Sequence, residues 1–165
     1  MKKIEEKLKL VSALLSEETT LTLATTNEAG EAAATPLFYL ADEELRIYWL
    51  SSSKSWHSLN LLHKAEAAIS VYRPAVNWKE ICGVQMRGRV GTVTEPARRE
   101  AVLKSYCERF KLGRVFSLAI GQSALYGFEA EWIRYIDNAR RFGYKFELEH
   151  GAEGWQPPAA RVTAR

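Results

Sequence analysis

The stretch Leu50-Ser51-Ser52-Ser53-Lys54-Ser55-Trp56-His57-Ser58-Leu59-Asn60 concentrates hydroxyls, one ammonium, an imidazole and an amide between a strand-like and a helix-like run. Free backbone N–H groups at a helix start, Ser oxygens and one Lys are the ingredients of a phosphate site. His57 falls in the first turn of that helix, and Asn60, three residues on, shares its face. A Ser-rich loop that merely caps a helix uses the same residues, so composition alone leaves both readings open.

Three other places could carry chemistry. Gln85-x-Arg87-x-Arg89 puts three polar side chains on one face of a long strand, where they must meet solvent, a partner chain or a ligand. Trp49, Trp56, Trp78 and Trp132 could stack on a planar ring, although alternating aromatic strands also serve as plain core. Asp137-Asn138-Ala139-Arg140-Arg141-Phe142-Gly143 is a polar turn between two strands. A metal site is not expected: His57, His63 and His150 have no partner at ligand spacing. Neither a Gly-x-Ser-x-Gly elbow nor a phosphate loop ending in Gly-Lys-Ser/Thr occurs.

The rest of the chain sets bounds. With 165 residues, 47% hydrophobic and 26% charged, it reads as one ordinary globular domain that needs no disulfide or metal to hold a core. The net charge of +3 comes with acids mixed among the bases, which argues against a nucleic-acid partner. Five Trp, seven Tyr and six Phe are a surplus that suits a flat ligand or a subunit interface. Cys82 and Cys107 lie in no Cys-x-x-Cys pair. The N-terminal Lys2 and Lys3 are followed by no apolar run, and no stretch is long enough to span a bilayer. The expectation is a cytoplasmic protein with reduced thiols and no membrane partner.

Periodicity supplies the elements that must position these groups. Ile4, Leu8, Val11 and Leu15 predict an amphipathic helix over 2–16. Period-two runs predict strands over 20–25, 32–39, 45–50, 67–72, 81–93, 125–136 and 144–148. In 81–93, Val84, Met86 and Val90 oppose Gln85, Arg87 and Arg89; in 125–136, Tyr126, Phe128, Ala130 and Trp132 share a face. Helices are expected over 56–64, from Pro96 with Val102, Leu103, Tyr106 and Phe110 as its stripe, and over 114–122. Residues 1–149 form the domain, and 150–165 read as a flexible tail. Tight turns join the first strands, so they pair antiparallel. A mainly β protein with flanking helices follows, as a small, closed or nearly closed barrel.

Thr22-Leu23-Ala24-Thr25, Ala34-Thr35-Pro36-Leu37-Phe38-Tyr39, Leu45-x-Ile47-Tyr48-x-x-Ser51 with Lys54, His57, Asn60 and Leu61, and Gly83-Val84-Gln85-Met86-Arg87-Gly88-Arg89 occur in that order. Over roughly residues 15 to 145 this resembles the pyridoxamine 5'-phosphate oxidase-like split-barrel flavoproteins. The resemblance implies an antiparallel split β-barrel of the FMN-binding type, and a homodimer with FMN at the subunit interface. It implies that Pro36, Leu37 and Phe38 border the flavin ring. Ser51, Ser52, Ser53 and Lys54, with His57 and Asn60, would hold the ribityl phosphate, and Leu50 would belong to the same cofactor site. Trp78, Gln85, Trp132 and Arg141 of the second subunit would close over the ring. Two departures matter. Ala34-Thr35-Pro36 stands where the oxidase carries phosphate-binding cations, and no Arg-x-His follows Glu131-Trp132. Oxidation of pyridoxamine phosphate is therefore not expected. An oxidoreductase of another substrate is, with a non-catalytic flavin-binding or sensing module, a haem protein using His57, His63 or His150, a deazaflavin protein, and an empty dimeric barrel as alternatives.

Overall fold

The computed structural model describes residues 2–112 and 120–159. The helical piece expected over 114–122 lies largely outside them. In chain order the elements are α1 (Lys2–Glu17), β1 (Thr20–Thr26), β2 (Ala32–Phe38), β3 (Leu40–Ala41), β4 (Ile47–Ser51), α2 (Trp56–His63), β5 (Glu66–Tyr72), a 3-10 turn (Trp78–Glu80), β6 (Cys82–Thr92), α3 (Pro96–Phe110), β7 (Ala124–Asp137), β8 (Lys145–Gly151) and β9 (Gly154–Gln156).

All strands join one antiparallel sheet with the order β2-β1-β5-β6-β7-β4-β3, and β8 and β9 extend it from β7. Its two ends meet in the chain itself. β2 pairs with β1 from Ala32 to Phe38, whereas Leu40 and Ala41 pair with Tyr48 and Ile47 of β4. One extended segment, broken only at Tyr39, thus belongs to both ends of the curled sheet. Below Tyr39 no ladder links β2 to β4 among the described residues, so the barrel is split along that line and not closed.

Alternation decides which side chains fill the barrel. Leu21, Leu23, Ile69, Val71, Val84, Met86, Ile47, Trp49 and Phe128 are buried inside. Each is flanked along its strand by residues facing out, as a period of two requires. Helix α1 stops one mouth with Val11, Leu14 and Leu15, all nearly inaccessible. The Tyr39 hydroxyl donates to the Leu15 carbonyl at 2.8 Å. Helix α2 stops the other mouth, where the Asn60 amide donates to Thr25 Oγ1 at 3.0 Å. Arg109 ties α3 to the end of α1 by donating to the Ser16 and Glu18 carbonyls, each at 2.7 Å.

Several expectations change. Leu45 is not a strand residue: it sits in the turn before β4 with a φ of +62°. The Asp42 side chain holds that turn by accepting from the Glu44 and Arg46 amides. The last strand runs to Gly151, and a hairpin to β9 occupies the start of the stretch expected to be a loose tail. Trp132 does not share a face with Phe128. The register slips between Arg87 and Gly88, which pair with Trp132 and Ala130, leaving Glu131 as the extra residue of a bulge. A bulge shifts the alternation by one, so Tyr126 and Phe128 point inward before it and Ile133 and Tyr135 after it. Gly88 permits it, because a Cβ there would collide with the Glu129 carbonyl oxygen.

Candidate functional site

The split between β2 and β4 has a definite chemistry. Each strand keeps one edge without a ladder: 32–38 on β2, and 49–51 on β4. Such edges carry unpaired N–H and C=O groups. At the foot of the split, β4 runs out into Ser51 and the turn of Ser52, Ser53, Lys54 and Ser55, and α2 begins at Trp56. Ser52, Ser53 and Lys54 are exposed there, while Leu50 and Ser51 are half-buried.

Behind this turn lies a hydrogen-bond cluster in which His57 and Ser58 are buried and Ser51 and Ser55 half-buried. His57 Nε2 is 2.8 Å from Ser51 Oγ and 3.1 Å from Ser55 Oγ. Ser55 Oγ donates in turn to Ser58 Oγ at 2.8 Å. Burial lowers the His57 pKa below its ordinary value, because a charged imidazolium loses hydration there. The neutral ring is a fixture that aims hydroxyls, and Lys54 is the cation of the turn. Ser55 occupies the N-cap position of α2, but its side chain bonds to neighbouring hydroxyls rather than capping the helix. The first amides of α2 are left for another acceptor. Asn60 is likewise spent within the fold, on Thr25.

At the upper end of the split the wall is aromatic. Pro36 and Phe38 face outward from β2, while Leu37 turns inward and packs on the core. The Phe38 ring is tilted against Phe110 of α3 at 5.2 Å, and Phe110 lies 4.7 Å from Tyr106. The Tyr106 hydroxyl donates to the Phe38 carbonyl at 3.3 Å, and burial pushes its pKa up to about 12. Sequence reasoning took Tyr106 and Phe110 for an ordinary helix stripe. Only the non-local approach of α3 to β2 reveals them at the split.

The remaining expected residues lie elsewhere on the same chain. Across the outer face of the sheet run two rows, Pro36–Thr22–Ser70–Gln85–Arg134–Glu147 and Ala34–Ala24–Ala68–Arg87–Trp132–Glu149. Gln85 is thus three strand spacings from Pro36, about 14 Å. Trp132 lies under the Arg87 guanidinium, 4.3 Å from ring centroid to Cζ, and its Nε1 donates to Glu147 at 3.2 Å. A trough of about 600 Å³ runs beside them over Ala24, Ala68 and Gly88. Trp78 meets Phe142 edge-on at 5.0 Å, both exposed, with Arg141 adjacent in the turn after β7. The structure therefore gathers Pro36, Phe38, Leu50, Ser51, Ser52, Ser53, Lys54 and His57 along the split, and turns Asn60 and Leu37 into the fold. It leaves Gln85, Trp132, Trp78 and Arg141 on the outer face and its margin.

A roomier cleft, about 1060 Å³, opens where β7 changes neighbours from β4 to β8. It is lined by Glu5, Glu129, Glu131, Arg46, His150 and Trp155 among others. Size alone does not make it the site, because the unpaired edges and the hydroxyl turn are not there. Among the described residues no three His, Cys, Asp or Glu side chains gather as metal ligands, and no helix is long and apolar enough to cross a membrane.

Comparison with known proteins gives a consistent picture. The sequence profile of the family described as pyridoxamine 5'-phosphate oxidase matches residues 8–137. No curated protein matches the sequence. Among solved structures, the haem storage protein HutZ from Vibrio cholerae is similar at 18% identity and a TM-score of 0.63, over 73% of this chain and 87% of that one. A haem-binding protein from Mycobacterium smegmatis is similar at 16% identity and a TM-score of 0.67, over 86% of this chain and 57% of that one. A protein from Listeria innocua described as a putative pyridoxamine 5'-phosphate oxidase is similar at 12% identity and a TM-score of 0.64, over 79% of this chain and 98% of that one. At these identities the likeness is one of fold.

Proposed function

The chain belongs to the pyridoxamine 5'-phosphate oxidase family, and from that premise we propose that it is an FMN-binding flavoprotein, an oxidoreductase with the flavin held at a homodimer interface. The observation that carries this reading is the hydroxyl turn of Ser51, Ser52, Ser53 and Lys54 at the foot of a split between two unpaired strand edges. Its exposed donors and the uncapped amides of α2 suit a phosphate monoester. The aromatic and proline wall of Pro36 and Phe38 suits a flat ring at the other end. The residues present thus fit the group.

FMN, where bound, supplies hydride or electron transfer through its ring. The chain's own part is to bind, orient and exclude water. Ser52, Ser53 and Lys54 hold the phosphate, and His57 holds the Ser51 and Ser55 hydroxyls in place behind them. Pro36 and Phe38 border the ring. No carboxylate or imidazole stands at the ring end of the split among the described residues, so no protein acid or base is assigned.

The second subunit accounts for the other expected residues. Gln85 and Trp132 lie too far along the sheet to reach the same ring from within one chain. The outer rows around Thr22, Ala24, Ala34, Ala68 and Ser70 present small side chains, and Phe38 and Tyr72 beside them are 58% and 61% exposed. A flat face of this kind suits a second copy. Trp78, Gln85, Trp132 and Arg141 would then reach the flavin of the partner.

A haem protein is a second reading, favoured by one observation. His57 is enclosed by serines and His63 is 3.3 Å from Glu28, but His150 is exposed on β8, with the Trp155 ring edge-on to it. It is the imidazole that could serve as an axial ligand. The visible spectrum separates the two. Purified protein titrated with FMN should show a double flavin band that bleaches with dithionite. A sharp Soret band would transfer the case to haem and His150. A protein that leaves the FMN spectrum unchanged would overturn the flavin reading. Absence of turnover with NADH or NADPH and any acceptor would mark a binding or sensing module.

A further inference from the structure

Near the start of α3 the outer face of the sheet carries a row of alternating charge. Arg46 is 3.4 Å from Glu129, Glu129 is the ladder partner of Arg89, and Arg89 is paired with Glu66 at 2.5 Å. Two residues further along each of the first three chains, the next row reads Tyr48–Gly127–Gly91. Residues two apart on a strand share a face, so this row also looks outward. Where Glu129 stands in the first row, the second has no side chain.

Backbone geometry requires neither glycine, since neither takes a positive φ. Packing accounts for Gly127, where a Cβ would press on the Tyr48 ring and on Val93. It does not account for Gly91, where a Cβ would meet no atom within 4 Å. A strand glycine without a reason in the fold marks a place where something else approaches the backbone closely. Above it lies a pocket of about 460 Å³, lined by both glycines, Arg46, Arg89 and, from the first turn of α3, Arg98. That volume is ordinary for a small-molecule site.

Arg98 is held in place from beneath. Tyr48 faces out of the barrel between Ile47 and Trp49, yet it is only 2% exposed. Its hydroxyl donates to Asp42 at 2.9 Å and accepts from Arg98 Nη2 at 2.5 Å, and the Arg98 guanidinium carbon is 5.6 Å from the ring centroid. Of the two carboxylates lining the pocket, Glu95 is turned to the Ala97 and Arg98 amides and Glu129 to Arg46. Glu44 and Glu66 pair with Arg46 and Arg89 from exposed surface outside the pocket, where such pairs are screened and weak. Guanidinium groups grip a planar carboxylate with two parallel N–H groups.

We propose that this pocket binds a small flat organic carboxylate. The ligand lies on the glycine floor with its carboxylate between Arg98 and the Arg46–Arg89 row, in the cell that a glutamate at position 127 would fill. The hydroxyl turn at Ser51 and the Pro36 wall take no part in the lining, so this site stands apart from the flavin reading.

The test is an amide NMR titration of the full chain with sodium benzoate, and with benzamide as the uncharged control. Benzoate should shift the Gly91 and Gly127 amides saturably, and benzamide should not. Arg98→Gln should weaken benzoate about tenfold or more, as expected for loss of a charge-assisted hydrogen bond, and Arg98→Lys should recover part of the loss. Gly91→Leu fills the floor without meeting the fold, so it should abolish the shifts while amides elsewhere keep their positions. Absence of any benzoate shift at the two glycines would overturn the proposal. So would equal binding of benzamide, or benzoate affinity that survives both Gly91→Leu and Arg98→Gln. Inorganic phosphate binding as tightly as benzoate would overturn the assignment of a flat carboxylate.

Discussion

The Asn60 side-chain amide donates to the Thr25 hydroxyl across 3.0 Å, and this bond anchors α2 in the mouth of the barrel. Both residues are nearly inaccessible, at 6% and 3% exposure, so neither partner can turn to water if the other is lost. Asn60→Ala should cost about 1–3 kcal/mol in urea unfolding, the penalty of an orphaned buried hydroxyl. Adding Thr25→Val should return part of it. A double variant as unstable as the sum of the singles would deny the bond its place in fixing the helix.

His57 makes the stability pH-dependent in a defined sense. Its folded pKa is lowered by burial, so between that value and the unfolded value of about 6.5 the unfolded chain binds the proton and the folded chain does not. Stability from this residue is complete above pH 6.5 or so and declines as the pH falls through the window. Urea midpoints between pH 8 and pH 5 should show the decline in wild type and a shallower one in His57→Gln. Identical slopes in the two proteins would remove His57 as the cause.

Ser53→Ala combined with Lys54→Ala tests the phosphate turn directly. Loss of charge-assisted bonds should weaken FMN binding by about 2–4 kcal/mol, read by quenching of flavin fluorescence. Both side chains are exposed, so the fold should be undisturbed and melting of the free protein should not change. An unaltered dissociation constant would withdraw the assignment.

Gly88→Ala should destabilise the protein by at least about 2 kcal/mol, because the new methyl meets the Glu129 carbonyl oxygen and backbone must move to admit it. Gly91→Ala, three residues on, meets no atom within contact distance and is the control. Thermal melts that rank the two variants equally would mean that the bulge tolerates repacking.

Local pattern was readable wherever neighbours in sequence decide it. The stripe of α1, the β1–β2 hairpin and the alternation of Val84, Met86 and Val90 follow from periodicity alone. The Trp132 side was misread because the shift of phase is imposed by β6, whose Gly88 lets the chains approach. Nothing within 124–137 announces it. The stretch after His150 looked like a tail for its Gly and Ala content, yet Gly154 takes a φ of +95° that closes a hairpin. The hydroxyl turn was visible as a helix start with spare donors. The α3 wall was not, since its aromatic stripe would read the same over any core.

The shared strand through Tyr39 has a bearing on how the molecule assembles. The β1–β2 hairpin needs only its own turn, whereas the pairing of β4 joins Ile47 to Phe128 and must gather most of the intervening chain first. Contacts of such long reach slow folding, because loop closure precedes any return from burial. The seam at β4 is therefore expected to be stitched late, after β5, β6 and β7 have found one another. The unpaired edges of β2 and β4 would face solvent through that interval, which makes the split between them the part of the nascent protein most exposed to mispairing with a second chain.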